Sequence, residues 1–211
     1  MQIVLHYTHR TRAIRPRWLL EELRVPYRLE LVDLFGGGAN TPEYRRIHPL
    51  GRVPALEVDG RIQLESGAMC HWLADRFPAA GLAPAADDAR RIAYEQWMFF
   101  VPGTLEPPAW LVTLHTKILP PAQRIEAVVP WARERYLEAV RVLDNALDGR
   151  TYLLGDRFSA ADIPVGSTLM WLPDALEPFV RLRDYVGRLR AREAFLRAAS
   201  DPQADTGGGG S

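Results

Sequence analysis

The stretch HPLGRVPALEVDGRIQLESGAMCHWLADRF, residues 48–77, constrains this chain more tightly than any other. It reads as a tight turn, a short strand, a hairpin, a second short strand and a helix. Asp59-Gly60 joins the β-rich runs 54–58 and 61–64, and such a pair is a strong two-residue hairpin signal because both residues tolerate positive φ. Pro54 stands at the mouth of the first run, where a residue that cannot donate to a sheet ladder is tolerated. Glu65-Ser66 places a carboxylate and a hydroxyl where the second run passes into a helix. The free N–H groups and the dipole of a helix start make that a natural place for an anion.

The flanking chain supplies the rest of an α/β domain. Residues 2–7 form a β-branched and aromatic run that predicts a buried strand. Helical spacing follows over 16–23, PRWLLEEL, with Trp18, Leu19 and Leu23 on one face and Pro16 in the first turn. Val25-Pro26 ends that helix, and 27–34 alternates as a strand does. Gly36 to Gly38 predict a flexible turn, and Thr41-Pro42-Glu43 a capped short helix. The order through residue 77 is β-α-β-α-β-β-α. A crossover helix makes the first two strands parallel, and the hairpin adds an antiparallel edge.

Strand signals stop after residues 78–88, PAAGLAPAADD, which read as a linker. Asp87 is expected to cap a helix over 90–101, interrupted by Pro102-Gly103 and Pro107-Pro108. A long amphipathic helix over 123–147 is expected to kink at Pro130 and stop at Asp148-Gly149. Helices over 159–171, 179–189 and 193–199 complete an all-helical half. Ser159-Ala160-Ala161-Asp162 matches a capping box flanked by Phe158 and Ile163, a structural motif. The domains are thus 1–79, a linker at 80–88, and a helical domain over 89–200. In the tail, 201–211, TGGGGS reads as an engineered flexible linker.

Composition removes whole classes of function. Lys+Arg and Asp+Glu both number 26 and interleave along the helix faces, which argues against nucleic acid as a partner. Cys70 is the single cysteine, so neither an internal disulfide nor a cysteine metal cluster is expected, and no metal site is predicted. No charged leader and no bilayer-length apolar run is present, which predicts a cytoplasmic protein without a membrane partner.

Three segments, HPLGRVPALEVDG, LESGAMCHWLADRFP and YLLGDRFSAADIPVG, together resemble the cytosolic glutathione transferases of the bacterial kind. The resemblance covers nearly all of residues 1–200. It implies a thioredoxin-like N-terminal domain, an α-helical C-terminal domain, and a homodimer. It also implies detoxification chemistry on a small apolar electrophile, with glutathione as co-substrate and no permanently bound cofactor.

Carried over residue by residue, the resemblance makes Pro54 a cis proline and lets the Val53 backbone pair with glutathione like an added strand. Ser66 and the helix start would take the γ-glutamyl carboxylate, Glu65 would face its ammonium, and Arg52 would lie near the glycyl carboxylate. A free thiol, with pKa about 8.5, is mostly protonated at neutral pH, so a donor aimed at sulfur raises the reactive fraction. Thr11 and Tyr7 are the catalytic candidates; Arg10, Arg12, His9 or a backbone N–H stay open. His9, Arg10, Trp97 and Phe100 are expected to line the second-substrate pocket. The loop Arg10-Thr11-Arg12-Ala13 departs from the family's Asn-Ser-Arg-Ser. That departure keeps a second reading open, a non-catalytic glutathione-transferase-like binding or scaffold protein.

Overall fold

The computed structural model describes residues 1–201. The TGGGGS run expected to be a linker lies outside the described residues. The described chain divides into two compact units: Met1–Arg76 with the segment from Ala191 onward, and Phe77–Arg190.

The first unit is a four-stranded mixed sheet with helices. Strand β1 (Ile3–Tyr7) is buried along its whole length and runs parallel to β2 (Arg28–Leu31), pairing Val4 with Arg28 and Tyr7 with Leu31. Helix α1 (Ile14–Leu23) makes the crossover between them. After the short helix α2 (Pro42–Ile47), strand β3 (Ala55–Val58) pairs antiparallel with the other side of β1, and β4 (Arg61–Gln63) forms the edge. The sheet order is β2-β1-β3-β4, followed by helix α3 (Ser66–Arg76). This is the βαβαββα order expected for the N-terminal part. Asp59 and Gly60 both take positive φ, 48° and 79°, as a type I′ turn demands. The Thr41 hydroxyl caps α2 by accepting from the Tyr44 N–H, with Pro42 in the first turn.

The second unit is helical. The cap expected from Asp87 is not formed: α4 (Arg91–Phe100) starts after Arg90 without a side-chain cap, and in the turn before it the Asp88 carboxylate accepts from the Arg90 N–H at 2.8 Å. Pro102 and Gly103 do not break the chain out of helix. Val101–Leu105 forms a π turn closed by the Glu106 N–H on the Val101 carbonyl, and α5 (Glu106–Thr113) continues directly. A π turn re-registers the ladder, so a proline can stay in a helical path. A second π turn, Leu114–Ile118, ends this run. The kink expected at Pro130 is absent, because α6 (Val128–Ala146) begins two residues before it. A first-turn proline lacks only an N–H that would have had no intrahelical partner.

Beyond α6, α7 (Asp162–Leu169) is wholly buried and α8 (Val180–Arg190) packs nearby. A Cβ on Gly166 would meet Leu189 Cδ1 at 2.3 Å, so glycine sets the approach of these two helices. Of the expected capping box the Asp162 half forms, its buried carboxylate accepting from the Ser159 N–H, while the Ser159 hydroxyl donates to that carboxylate and no side chain caps α7. In all, the carboxylate accepts from the Leu153 and Ser159 N–H groups, the Ser159 hydroxyl and the Tyr185 hydroxyl at 2.8–3.0 Å. Burial pushes this carboxyl upward, and the hydrogen bonds work against that shift.

One element departs from the expected plan. Helix α9 (Glu193–Ala199), placed by sequence with the helical domain, belongs to the first unit. It packs on α1, with the Phe195 ring edge-on to Trp18 at 4.9 Å and Arg192 paired with Glu22 at 2.6 and 2.8 Å. Among the described residues, no helix is long and apolar enough to cross a membrane.

Candidate functional site

The segment between α2 and β3 is held by backbone geometry that its own residues dictate. Gly51 takes φ 58°, and a Cβ there would come within 2.7 Å of the Ala39 carbonyl, so only glycine fits. The Tyr44 hydroxyl donates to the Arg52 carbonyl at 2.8 Å. The Val53-Pro54 peptide is cis. Among the described residues, the Val53 backbone makes no backbone hydrogen bond. Its N–H and C=O are therefore available to an added extended peptide. Arg52 is exposed beside it.

Two strands further on, Glu65 is an exposed residue with φ 71° that starts α3, its carbonyl accepting from the Met69 N–H. A non-glycine residue in the left-handed region costs about 1–3 kcal/mol and concentrates at functional sites. The next residue, Ser66, is 7% exposed, and its hydroxyl oxygen accepts from Arg15 at 3.1 Å. A guanidinium can only donate, so the Ser66 proton stays free for an incoming acceptor. The N-terminal N–H groups of α3 and the Arg15 charge add to the same positive field. The structure thus builds an anion cradle from Ser66, the start of α3 and a buried arginine 51 positions away in sequence.

His48 follows α2 directly. It is 7% exposed and its Nδ1 has no hydrogen-bond partner among the described residues. Burial, then the Arg52 charge, holds it below the ordinary histidine range, while Glu65 pulls the other way. Cys70, one turn into α3, is fully buried, and burial pushes its thiol up to about 12. Such a thiol is inert packing.

The loop from β1 to α1 carries the other expected groups. Thr11 is half-buried; its hydroxyl donates to the Thr8 carbonyl at 2.7 Å and accepts from the Ala13 N–H at 3.2 Å. Arg10 is exposed with φ 60°, and His9 is half-buried. Tyr7 does not stand open in this loop. It is 1% exposed, its hydroxyl lies 3.0 Å from both Arg17 Nη1 and His9 Nδ1, and the Arg17 guanidinium sits 5.0 Å over its ring. Burial raises the Tyr7 pKa and the Arg17 charge opposes that rise. Of the two catalytic candidates, Tyr7 is the fully buried one, because the strand that ends at it turns its last side chain inward, and Thr11 is the half-buried one.

Trp97 and Phe100, the other expected pocket residues, lie in the second unit with their rings edge-to-face at 5.3 Å. Trp97 is 5% exposed and Phe100 half-buried, so Trp97 is a core residue of its unit first. Among the described residues, no group of three or more His, Cys, Asp or Glu side chains is arranged to hold a metal ion.

Arg15 and Arg17 belong to none of the motifs the sequence displays, yet both are buried beside hydroxyls. The available signal was their position: in IRPRWLL, Arg15 is three and four residues before Trp18 and Leu19, on the buried face of α1. Arginines almost never go fully inside without a partner, so two of them on an apolar stripe announce buried acceptors.

Comparison with known proteins converges on one family. The model of the glutathione S-transferase N-terminal domain matches residues 9–76, and that of the C-terminal domain matches 122–195. Glutathione S-transferase 3 of Schizosaccharomyces pombe is 30% identical over 215 residues, covering 96% of this chain and 84% of that protein. Elongation factor 1-gamma of Rattus norvegicus is 34% identical over 149 residues, and the match spans 70% of this chain but only 32% of that protein. Among solved structures, a theta class glutathione S-transferase from Xanthomonas axonopodis pv. citri, with glutathione bound, superposes with a TM-score of 0.81 at 29% identity. That match covers 94% of this chain and 97% of the other.

Proposed function

The chain belongs to the glutathione S-transferase family, and from that premise we propose that it activates the glutathione thiol for attack on a small apolar electrophile. Residues 1–79 would hold glutathione, and His9 and Arg10 of the same unit would face the electrophile. The observation that carries the reading is the cradle at the start of α3. Ser66 receives a hydrogen bond from buried Arg15 and keeps its own proton free beside left-handed Glu65. That arrangement suits the γ-glutamyl end of glutathione, an α-carboxylate next to an ammonium. The unpaired Val53 backbone and exposed Arg52 suit the cysteinyl amides and the glycyl carboxylate. Thr11 is then the donor to sulfur. Its hydroxyl rotates from the Thr8 carbonyl to the thiolate, trading a neutral acceptor for a charged one.

Binding and chemistry separate in one experiment. Calorimetric titration with glutathione is expected to show binding to the unmutated protein, weakened roughly tenfold or more in Ser66→Ala, in line with about 1.5–3 kcal/mol for a hydrogen bond to a charged group. Thr11→Ala is expected to keep that affinity and lose about tenfold in turnover of an electrophilic halide. An unmutated protein that binds no glutathione at millimolar concentration overturns the proposal. The bond from Thr11 to the Thr8 carbonyl favours a second reading, a glutathione-holding scaffold with no turnover. Full glutathione binding with no turnover above the uncatalysed background in the unmutated protein would establish it. A cytoplasmic homodimer working in detoxification belongs to the first reading, and light scattering tests its oligomeric part.

A further inference from the structure

A directed chain of hydrogen bonds runs from the C-terminal helix segment to the β1–α1 loop. Arg17 Nη1 donates to the Ser200 carbonyl at 2.8 Å and lies 3.0 Å from the Tyr7 hydroxyl, which in turn lies 3.0 Å from His9 Nδ1. The direction follows from the donor inventory. A guanidinium only donates, so the Tyr7 oxygen accepts from Arg17, and the orientation that leaves no buried phenol proton unpaired points that proton at His9 Nδ1. His9 Nδ1 therefore accepts, and a neutral imidazole whose Nδ1 accepts carries its proton on Nε2. Tyr7 is 1% and Arg17 5% exposed, so water scarcely competes for these bonds. His9 itself is half-buried, two residues before Thr11.

We propose that Ser200, Arg17 and Tyr7 are positioning residues that hold His9 as an Nε2–H donor to the second substrate. They thereby select electrophiles whose reacting carbon is conjugated to an accepting oxygen, such as α,β-unsaturated carbonyls, over simple haloalkanes. This rests on the transferase reading above. In the addition, the thiolate sulfur forms a bond to the β-carbon and the C=C π pair moves through to the carbonyl oxygen, giving an enolate. His9 Nε2–H holds that oxygen while water delivers a proton to the α-carbon. The proton lost by the thiol has gone to water, so atoms and charge balance. Displacement of halide from a haloalkane places no charge on an oxygen and gains less from this donor.

The test has two arms on the full chain. Ring 15N–1H correlation spectra resolve the five histidines, with His9 identified by its disappearance in His9→Leu. The free protein is expected to show His9 as the Nε2–H tautomer, shifting toward a mixture in Tyr7→Phe and in Arg17→Met, the second variant guarding against a failure of the first to fold. In the kinetic arm, the ratio of kcat/KM for a 2-alkenal over an iodoalkane is expected to fall about tenfold in His9→Leu and Tyr7→Phe. It should recover in part in His9→Gln, whose amide still donates. An Nδ1–H tautomer in the unmutated protein overturns the relay. An unchanged ratio in a protein that binds glutathione overturns the role of His9 alone. Absence of glutathione binding overturns the transferase reading together with the substrate assignment.

Discussion

Arg15 and Arg17 stand two residues apart near the start of α1, and each sends its guanidinium inward to a hydroxyl, Ser66 for one and Tyr7 for the other. Each arginine settles which way its hydroxyl partner can donate, which matters more for a site than the pairing energy itself. The buried imidazoles set a pH dependence. Loss of water on burial holds His6 and His48 below the ordinary histidine range, with Arg28 and Arg52 adding to it and Glu57 and Glu65 opposing. For a base whose folded pKa is depressed, the unfolded chain binds more protons below its pKa of about 6.5, so this stability is present above that pH and lost as pH falls. The midpoint of thermal unfolding is expected to drop between about pH 7.5 and pH 5.5, and a His6→Gln/His48→Gln double variant should drop less. Equal drops in the two proteins would show that neither imidazole carries the effect.

Elements in this chain end and bend where specific backbone donors are missing or supplied. The Asp162 half of the capping box was legible from Ser159-Ala160-Ala161-Asp162, but sequence could not show that Tyr185 and the Leu153 N–H would converge on the same carboxylate. Ser159→Ala removes one donor that Asp162 can replace only in part, and is expected to cost about 1 kcal/mol. Asp162→Ala strands several buried donors at once and is expected to cost about 3–5 kcal/mol. Urea titrations with unchanged m values would measure both, and a Ser159→Ala cost as large as that of Asp162→Ala would contradict this ordering. The prolines teach the same lesson from the other side. Sequence predicts a kink at Pro130 and a break at Pro102, yet one falls in a first turn and the other in a π turn. Proline reports a missing N–H, and only the register of the helix says whether that N–H was needed.

Across the whole molecule, the chain leaves its first unit at Arg76 and returns to it at Ala191, so the last helix stabilises the first. Trp18 is fully buried beneath Phe195, and Arg192, Arg197 and Ser200 tie α9 to Glu22, Glu21 and Arg17. Phe195→Ala is expected to cost about 2–4 kcal/mol and to red-shift the Trp18 emission, read by urea unfolding and by fluorescence. A cost below about 0.5 kcal/mol would show that α9 is only draped over α1. Period-2 and helical patterning, the Asp59-Gly60 turn and the Thr41 cap were enough to give the βαβαββα order, the helical second half and the Val53–Pro54 and Glu65–Ser66 constellations, because those features are set by residues within a few positions of one another. The tertiary structure alone decided that Tyr7 faces inward, that Arg15 stands behind Ser66, and that α9 packs on α1. Each of these joins residues far apart in sequence through burial, and a buried charge or hydroxyl finds its partner in space, where spacing along the chain gives no signal.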